Sequence, residues 1–559
     1  MIQVQIDHTF WWLLTGYGAL LIGVSFYFTR FIKSSEDFYG STGQTAPWLS
    51  GLSFFMSAFS ASVFVANASL AYRHGSLNLL LILAQLPVFI AGYYVFSRRW
   101  FRSGCSTVIE FLQKRFGLNT AKFFLWMGIP IRVLENGNRV YVTAVLFEIM
   151  LGIDLFTGAT ITVIVALLST VGGGFLAVVV TDAVQAILLS FIVAVVAVLS
   201  WQSAGGWEGF ATRMPENYWS VFPDQSNFGL SVIVAWSFVA LFAWNGSWSL
   251  VQRFVAVPTE KGAQRVSLIS GGAYYLLFPL MAIPAMAAAI VIPELDTPQK
   301  AEYAYILMAE KVLPMGLMAM LCFGLLGATI TALNAELNVM AQVVVQDMLK
   351  RRLARFSEST RLWFGRIIMI ALSALCLALA LRIREMGGAF QFLITVLSMT
   401  ALPTFIPMLL GLLTTRGDGR SAISAFIAGM ITSIILKFGF DQSLAIIIAT
   451  NGVVTASVFL FATSATQRCG GLEASVQSLF ARIQTPKPVV AATKENIAFT
   501  RVVARVAAIT LIIAGLLSLA AEFMTPDTAA GKGYAAMVTV ATFVTGGAIL
   551  FFHRAPKNQ

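Results

Sequence analysis

The chain has 559 residues, of which 58% are hydrophobic and 11% charged, with a formal charge of +11 and a mean hydropathy of +0.80. Soluble domains carry about 25% charged residues, so a water-soluble globule is excluded. The apolar runs are about 20 residues long rather than alternating segments of about ten, which excludes an outer-membrane barrel, and the basic residues lie mostly in short loops, which removes the argument for nucleic-acid binding.

Apolar runs predict fifteen spans, at 9–29, 47–72, 77–97, 121–151, 156–173, 177–201, 227–251, 266–292, 315–349, 362–382, 388–414, 421–438, 442–464, 499–521 and 534–553. The first run, Phe10 to Phe28, lacks a basic flank and a small-residue cleavage site and is expected to remain as a span. With the N-terminus outside, 27 of the 37 Lys and Arg fall on the inner side and 8 on the outer. That bias predicts N-terminus out, C-terminus in. The stretch 465–500 is then a cytoplasmic linker, and its LEASVQSLFARI segment has the apolar spacing of a short interfacial helix. Cys105, Cys322, Cys376 and Cys469 stand apart without metal spacing, as do His8, His74 and His553, so neither a metal centre nor a disulfide framework is expected.

Several stretches are too polar for helices that only face lipid. In SFFMSAFSASVFVANASLAYRHG, residues 53–75, small and hydroxyl residues crowd one span. They either permit close helix packing or mark a broken helix whose freed carbonyls coordinate a cation. In IPIRVLENGNRVY, residues 129–141, Arg132, Glu135 and Arg139 share a helical face. They form an internal ion-pair network, a site in which an arginine takes a solute carboxylate, or a gate. In GGGFLAVVVTDAVQ, residues 172–185, the glycines predict a tight connection, with Asp182 in the first turns of the next helix. That carboxylate either complements the helix dipole or attracts cations at an inner vestibule. In AWNGSWSLVQR, residues 243–253, Asn245, Gly246 and Ser247 weaken a helix at mid-span. Finally, 315–352 opens as an ordinary span and then places Asn334, Glu336, Asn338, Gln342 and Asp347 along one long helix, the expected wall of a solute or ion route.

The segments GGGFLAVVVTDAVQAILL, STVIEFLQKRFG, SWSLVQRFVA and Gly324 to Arg352, in this combination and spacing, resemble the sodium/solute symporter family over roughly residues 9–464. The resemblance implies an all-α polytopic protein with an inverted-repeat (5+5 helices) core of the amino-acid/polyamine/organocation type. On that pattern 1–46 is an extra N-terminal helix and loop, 47–203 the first repeat, 227–415 the second, 416–464 two peripheral helices and 501–559 a terminal hairpin. It implies sodium as coupling ion, held by the carbonyls of Met56, Phe59 and Ala328 and the hydroxyl of Thr331, with Asp182 as a further cation-attracting group. Ala332 stands where the family usually has a second hydroxyl. For the solute it implies Ser60, Arg132, Glu135, Arg139, Asn245 and Gln391 near the midplane. The sugar carriers' polar positions fall on Ala240, Ala243 and Ile394, so a small carboxylate or amino acid is expected rather than a sugar.

The reading is therefore a carrier of the bacterial inner membrane, not an enzyme, with no cofactor beyond sodium, and with lipid, sodium and a small organic solute as its partners. Two other readings stay open: a proton-coupled or exchanging carrier that has lost sodium, and a membrane sensor that binds solute without moving it.

Overall fold

The computed structural model describes residues 45–58, 61–220, 229–295, 297–349, 355–386, 388–462, 474–486, 501–513 and 529–552, with isolated positions at 353, 515 and 516 and between 15 and 28. Phe59 and Ser60 and most of the predicted first span lie outside the described residues. Everything regular among the described residues is helical. In chain order the elements are α1 Pro47–Ala58, α2 Ala61–Arg73, α3 Gly75–Ser103, α4 Val108–Phe116, α5 Leu118–Leu151, α6 Leu155–Ser203, α7 Leu230–Gly246, α8 Trp248–Val255, α9 Glu260–Val291 and α10 Ala304–Val312. They continue as α11 Met315–Gln342, α12 Glu358–Ile383, α13 Gly388–Leu413, α14 Gly419–Ile434, α15 Leu444–Phe461, α16 Ala474–Gln484 and α17 Ala529–Phe552. Eight helices among the described residues are long and apolar enough to cross a membrane, or nine if α7 and α8 count as one bent span.

The core is built around α11, whose most apolar stretch is enclosed by protein. It packs on α6, α1, α5 and α12. By contrast α14 and α15 are mostly uncovered, as lipid-facing helices are. One proline residue shows how the periphery is fastened to the core. Pro403 in α13 has no N–H to give the carbonyl of Met399, one turn back. The hydroxyl of Ser433 on α14 donates to that carbonyl instead, at 3.1 Å. The amide of Asn451 on α15 donates to the adjacent Ser398 carbonyl at 2.8 Å and to Ser433 itself at 2.8 Å. A defect in one helix thereby becomes the contact among three.

One predicted span is interrupted among the described residues, while 47–72 is described as α1 and α2 on either side of Phe59 and Ser60, which lie outside the described residues. The stretch 227–251 is divided at Ser247, whose extended ψ of 138° separates α7 from α8 with a bend of 52°. Gly246 makes that bend possible, since a Cβ there would lie 2.5 Å from Met408 Cε and 2.9 Å from the Phe405 ring.

Two expectations are corrected. The predicted helices at 156–173 and 177–201 form one helical run, α6, with Gly172–Gly174 inside it. Three glycines cost a helix about 1 kcal/mol each but do not forbid it when flanking residues carry the hydrogen bonds through. Asp182 accordingly lies far inside a helix, not in its first turns. The helix expected to lie on lipid, α16, instead covers its apolar residues Val476, Leu479, Phe480 and Ile483 with protein, against α3 and α4. Arg102 fixes its end, donating at 3.3 Å to the carbonyls of Ile483 and Gln484 and pairing with Glu260 at 2.6 Å.

Gly246→Ala is expected to overpack the bend against Phe405 and Met408, destabilising the protein by about 1–3 kcal/mol. A thermal unfolding curve in detergent checks this, and an unchanged midpoint would mean that the bend relaxes freely.

Candidate functional site

At the α7–α8 break the chain leaves helical geometry beside a cavity of about 270 Å³. One wall is aromatic and apolar, with Trp236, Trp244, Tyr274, Phe278 and Phe405. The other is ionic, with Arg132, Glu135 and Arg139 from α5 and Glu336 from α11. Spacing on α5 puts its three charges on one face, and the bend beside Ser247 opens room for them.

The two arginines are not equivalent. Arg132 is buried, donates to Glu135 at 3.1 Å and to the Ser247 hydroxyl at 3.1 Å, and lies 3.6 Å from Glu336. The rings of Trp248 and Phe405 flank its guanidinium at 5.7 and 5.6 Å. Its charge is therefore already spent. Arg139 donates to the Asn136 side chain at 2.9 Å and, among the described residues, has no carboxylate within ion-pair distance. Two guanidiniums and two carboxylates balance, so the cavity is electrically neutral overall.

A second polar cluster continues from the first. The Ser249 hydroxyl on α8 donates to Glu336, and one turn on, Arg253 donates to the Ser249 carbonyl at 3.0 Å. Arg253 is fully buried; it donates to the Ser53 hydroxyl at 3.1 Å and to Gln252 at 3.2 Å, and lies 3.5 Å from Asp182. Ser53 in turn donates to Asp182 at 2.5 Å. The side chain of Gln252 reaches Gln342 on α11 at 3.1 Å. Asp182 is thus the acidic end of a buried ion pair between α6 and α8.

Of the positions expected for a cation, Met56 on α1 and Ala328 on α11 are fully buried, and these two helices pack on each other. Thr331 lies in α11, and its side chain is outside the described residues, as is Phe59. Ala332 is buried and contributes only a methyl group. Of the expected solute residues, Arg132, Glu135 and Arg139 line the cavity and Ser60 lies outside the described residues. Asn245 is not on the cavity wall; its amide donates to the carbonyls of Val88 at 3.2 Å and Leu241 at 2.9 Å. Gln391 is exposed near the start of α13 and is also off the wall, whereas Ala240, Ala243 and Ile394 are on it. The role of Arg253 was missed, because nothing local in the sequence shows that its partners are Ser53 and Asp182.

A model of the sodium:solute symporter family matches residues 38–429. The chain belongs to that family. Among its relatives, the sodium/glucose cotransporter of Vibrio parahaemolyticus is 25% identical over 459 residues, covering 76% of this chain and 84% of the relative. The human sodium/iodide cotransporter is 24% identical, covering 73% and 66%. The human sodium-coupled monocarboxylate transporter 2 is 22% identical, covering 69% and 64%. Among solved structures, a Na+-coupled sialic acid symporter in an outward-open state superposes with a TM-score of 0.71 at 17% identity, covering 83% of this chain and 98% of that one. The fold of this family member is thus that of a membrane symporter core.

Removing one member of a dry ion pair strands the other, at about 3–5 kcal/mol. Arg253→Met is therefore expected to lower the unfolding midpoint sharply, and adding Asp182→Asn to restore part of the loss. Additive losses in the double variant would mean that the two residues act separately.

Proposed function

We propose that this chain is a sodium-coupled symporter of a small carboxylate or amino acid in a bacterial-type inner membrane, N-terminus outside, working by alternating access between repeats 47–203 and 227–415. The observation that carries the solute class is the unequal pair of arginines on the cavity wall. Arg132 is held by Glu135, Glu336 and Ser247, which leaves Arg139 to meet a solute carboxylate. Glu135, on the same wall, is placed for an ammonium group. A neutral cavity suits a zwitterion better than a lone anion, which would leave one negative charge unbalanced. The apolar residues Ala240, Ala243 and Ile394 on the wall speak against a sugar.

Sodium is the ion suited to the oxygen set that the family resemblance implies for α1 and α11. A hard cation takes several oxygen ligands, and the carbonyls of Met56, Phe59 and Ala328 with the Thr331 hydroxyl provide neutral ones without burying net negative charge. When solute and sodium bind the same outward-open state, each raises the other's affinity, typically by 1–3 kcal/mol. Family membership and the fold match support this reading. Ala332 favours one second reading, a carrier without sodium in which Glu336 exchanges a proton.

Sodium is expected to raise the unfolding midpoint above that in potassium at equal ionic strength, following RT ln(1 + [L]/Kd), and Thr331→Ala to abolish the difference. A sodium response that appears only in Ala332→Ser would favour the second reading. In the same assay, small amino acids and carboxylates are expected to stabilise the wild type and to lose at least tenfold in apparent affinity in Arg139→Gln. An undiminished response in that variant would remove Arg139 from the site.

A further inference from the structure

The ionic wall accounts for a charged head group but leaves two buried polar side chains on the cavity, Asn138 and Ser57, unexplained. Asn138, one residue before Arg139, is 1% exposed, lines the cavity, and among the described residues neither atom of its amide has a hydrogen-bond partner. Ser57, near the end of α1, is also 1% exposed, lines the cavity, and has no partner for its hydroxyl among the described residues. Buried amides and hydroxyls are nearly always bonded, because leaving them unmade costs free energy. Their neighbours illustrate the rule: Asn136 bonds Arg132 and Arg139, Asn245 bonds two carbonyls, and Asn451 bonds a carbonyl and a serine. Asn138 and Ser57 depart from it on the cavity wall.

We propose that Asn138 and Ser57 form a neutral hydrogen-bonding subsite that selects solutes carrying a hydroxyl or amide group in addition to the charged head. This rests on the carboxylate or amino acid reading above and narrows it. An amide offers both a donor and an acceptor, and so does a hydroxyl, so each side chain can pair with a solute group that both gives and takes a hydrogen bond. A solute lacking that group leaves the site's polar atoms unpaired, the condition under which binding sites discriminate most strongly. Ser57 also directly follows Met56, whose carbonyl belongs to the expected cation set. Ordering the Ser57 hydroxyl on a solute orders the same turn of α1 that presents the Met56 carbonyl. The subsite therefore joins solute selection to cation binding through adjacent residues.

Two measurements on the purified full-length chain test this. The first needs no solute: in Asn138→Leu and Ser57→Ala the thermal midpoint is expected to stay level or rise, because no protein hydrogen bond is lost. A fall of many degrees in either variant would show a structural role and overturn the assignment. The second compares matched probes, L-serine against L-alanine and lactate against propionate, by the stabilisation each gives in sodium. The wild type is expected to favour the hydroxylated member of a pair about tenfold, and Asn138→Leu to erase that preference while still binding the head group. Equal responses to both members in the wild type would overturn the subsite. If no probe of either pair stabilises the wild type, the carboxylate and amino acid reading fails, and the subsite is then judged by the first measurement.

Discussion

A charge placed at membrane depth must be paired within the protein, and much of this structure follows from that requirement. From the cavity, the pairs run from Glu135 through Arg132 to Glu336, across Ser249 to Arg253, and end at Ser53 and Asp182. These groups come from α5, α11, α8, α1 and α6, so one chain of polar contacts holds together helices distant in sequence. Isolated, each charge would cost about 2.5–3.5 kcal/mol at a helix centre. Together they fix which faces of the helices meet. They also join the ionic wall of the cavity to the buried Arg253–Asp182 pair in one network.

Helix interruptions make this arrangement possible. The bend at Ser247 brings a hydroxyl within 3.1 Å of Arg132 and starts α8, whose next turn carries Ser249 and Arg253 inward. Elsewhere the same logic is used for packing: Pro403 frees a carbonyl that Ser433 then binds. Backbone groups released by a break need partners, and in a bilayer only protein, solute or ion can supply them. A transporter core turns that need into binding sites.

Much of this was legible in the sequence, though unevenly. The helical class followed from hydropathy. The face shared by Arg132, Glu135 and Arg139 followed from spacing, and the weak point at Asn245–Ser247 followed from residue type. The partnership of Arg253 with Asp182 was not legible, because it joins two helices 71 positions apart in the chain and has no local signature. Asn245 and Gln391 were read as solute residues, yet one satisfies carbonyls at Val88 and Leu241 and the other lies exposed near a helix start. A shift of one turn along α13, from Gln391 to Ile394, separates exposed surface from cavity wall, finer than a motif resolves. Arg132 and Arg139 were interchangeable on paper. Only the positions of Glu336 and Ser247 tell them apart.

The claim on which the account turns is that solute movement through this cavity is driven by sodium. It is tested most directly by recording charge movement on a solid-supported membrane when small amino acids and carboxylates are applied to reconstituted protein. A zwitterionic amino acid is expected to evoke an inward current in sodium that vanishes when potassium replaces it, and a monocarboxylate, whose charge one sodium cancels, is expected to show sodium-dependent uptake of labelled solute into the same vesicles. Equal responses in the two cations, or neither current nor uptake for any solute of either class, would contradict sodium-driven movement.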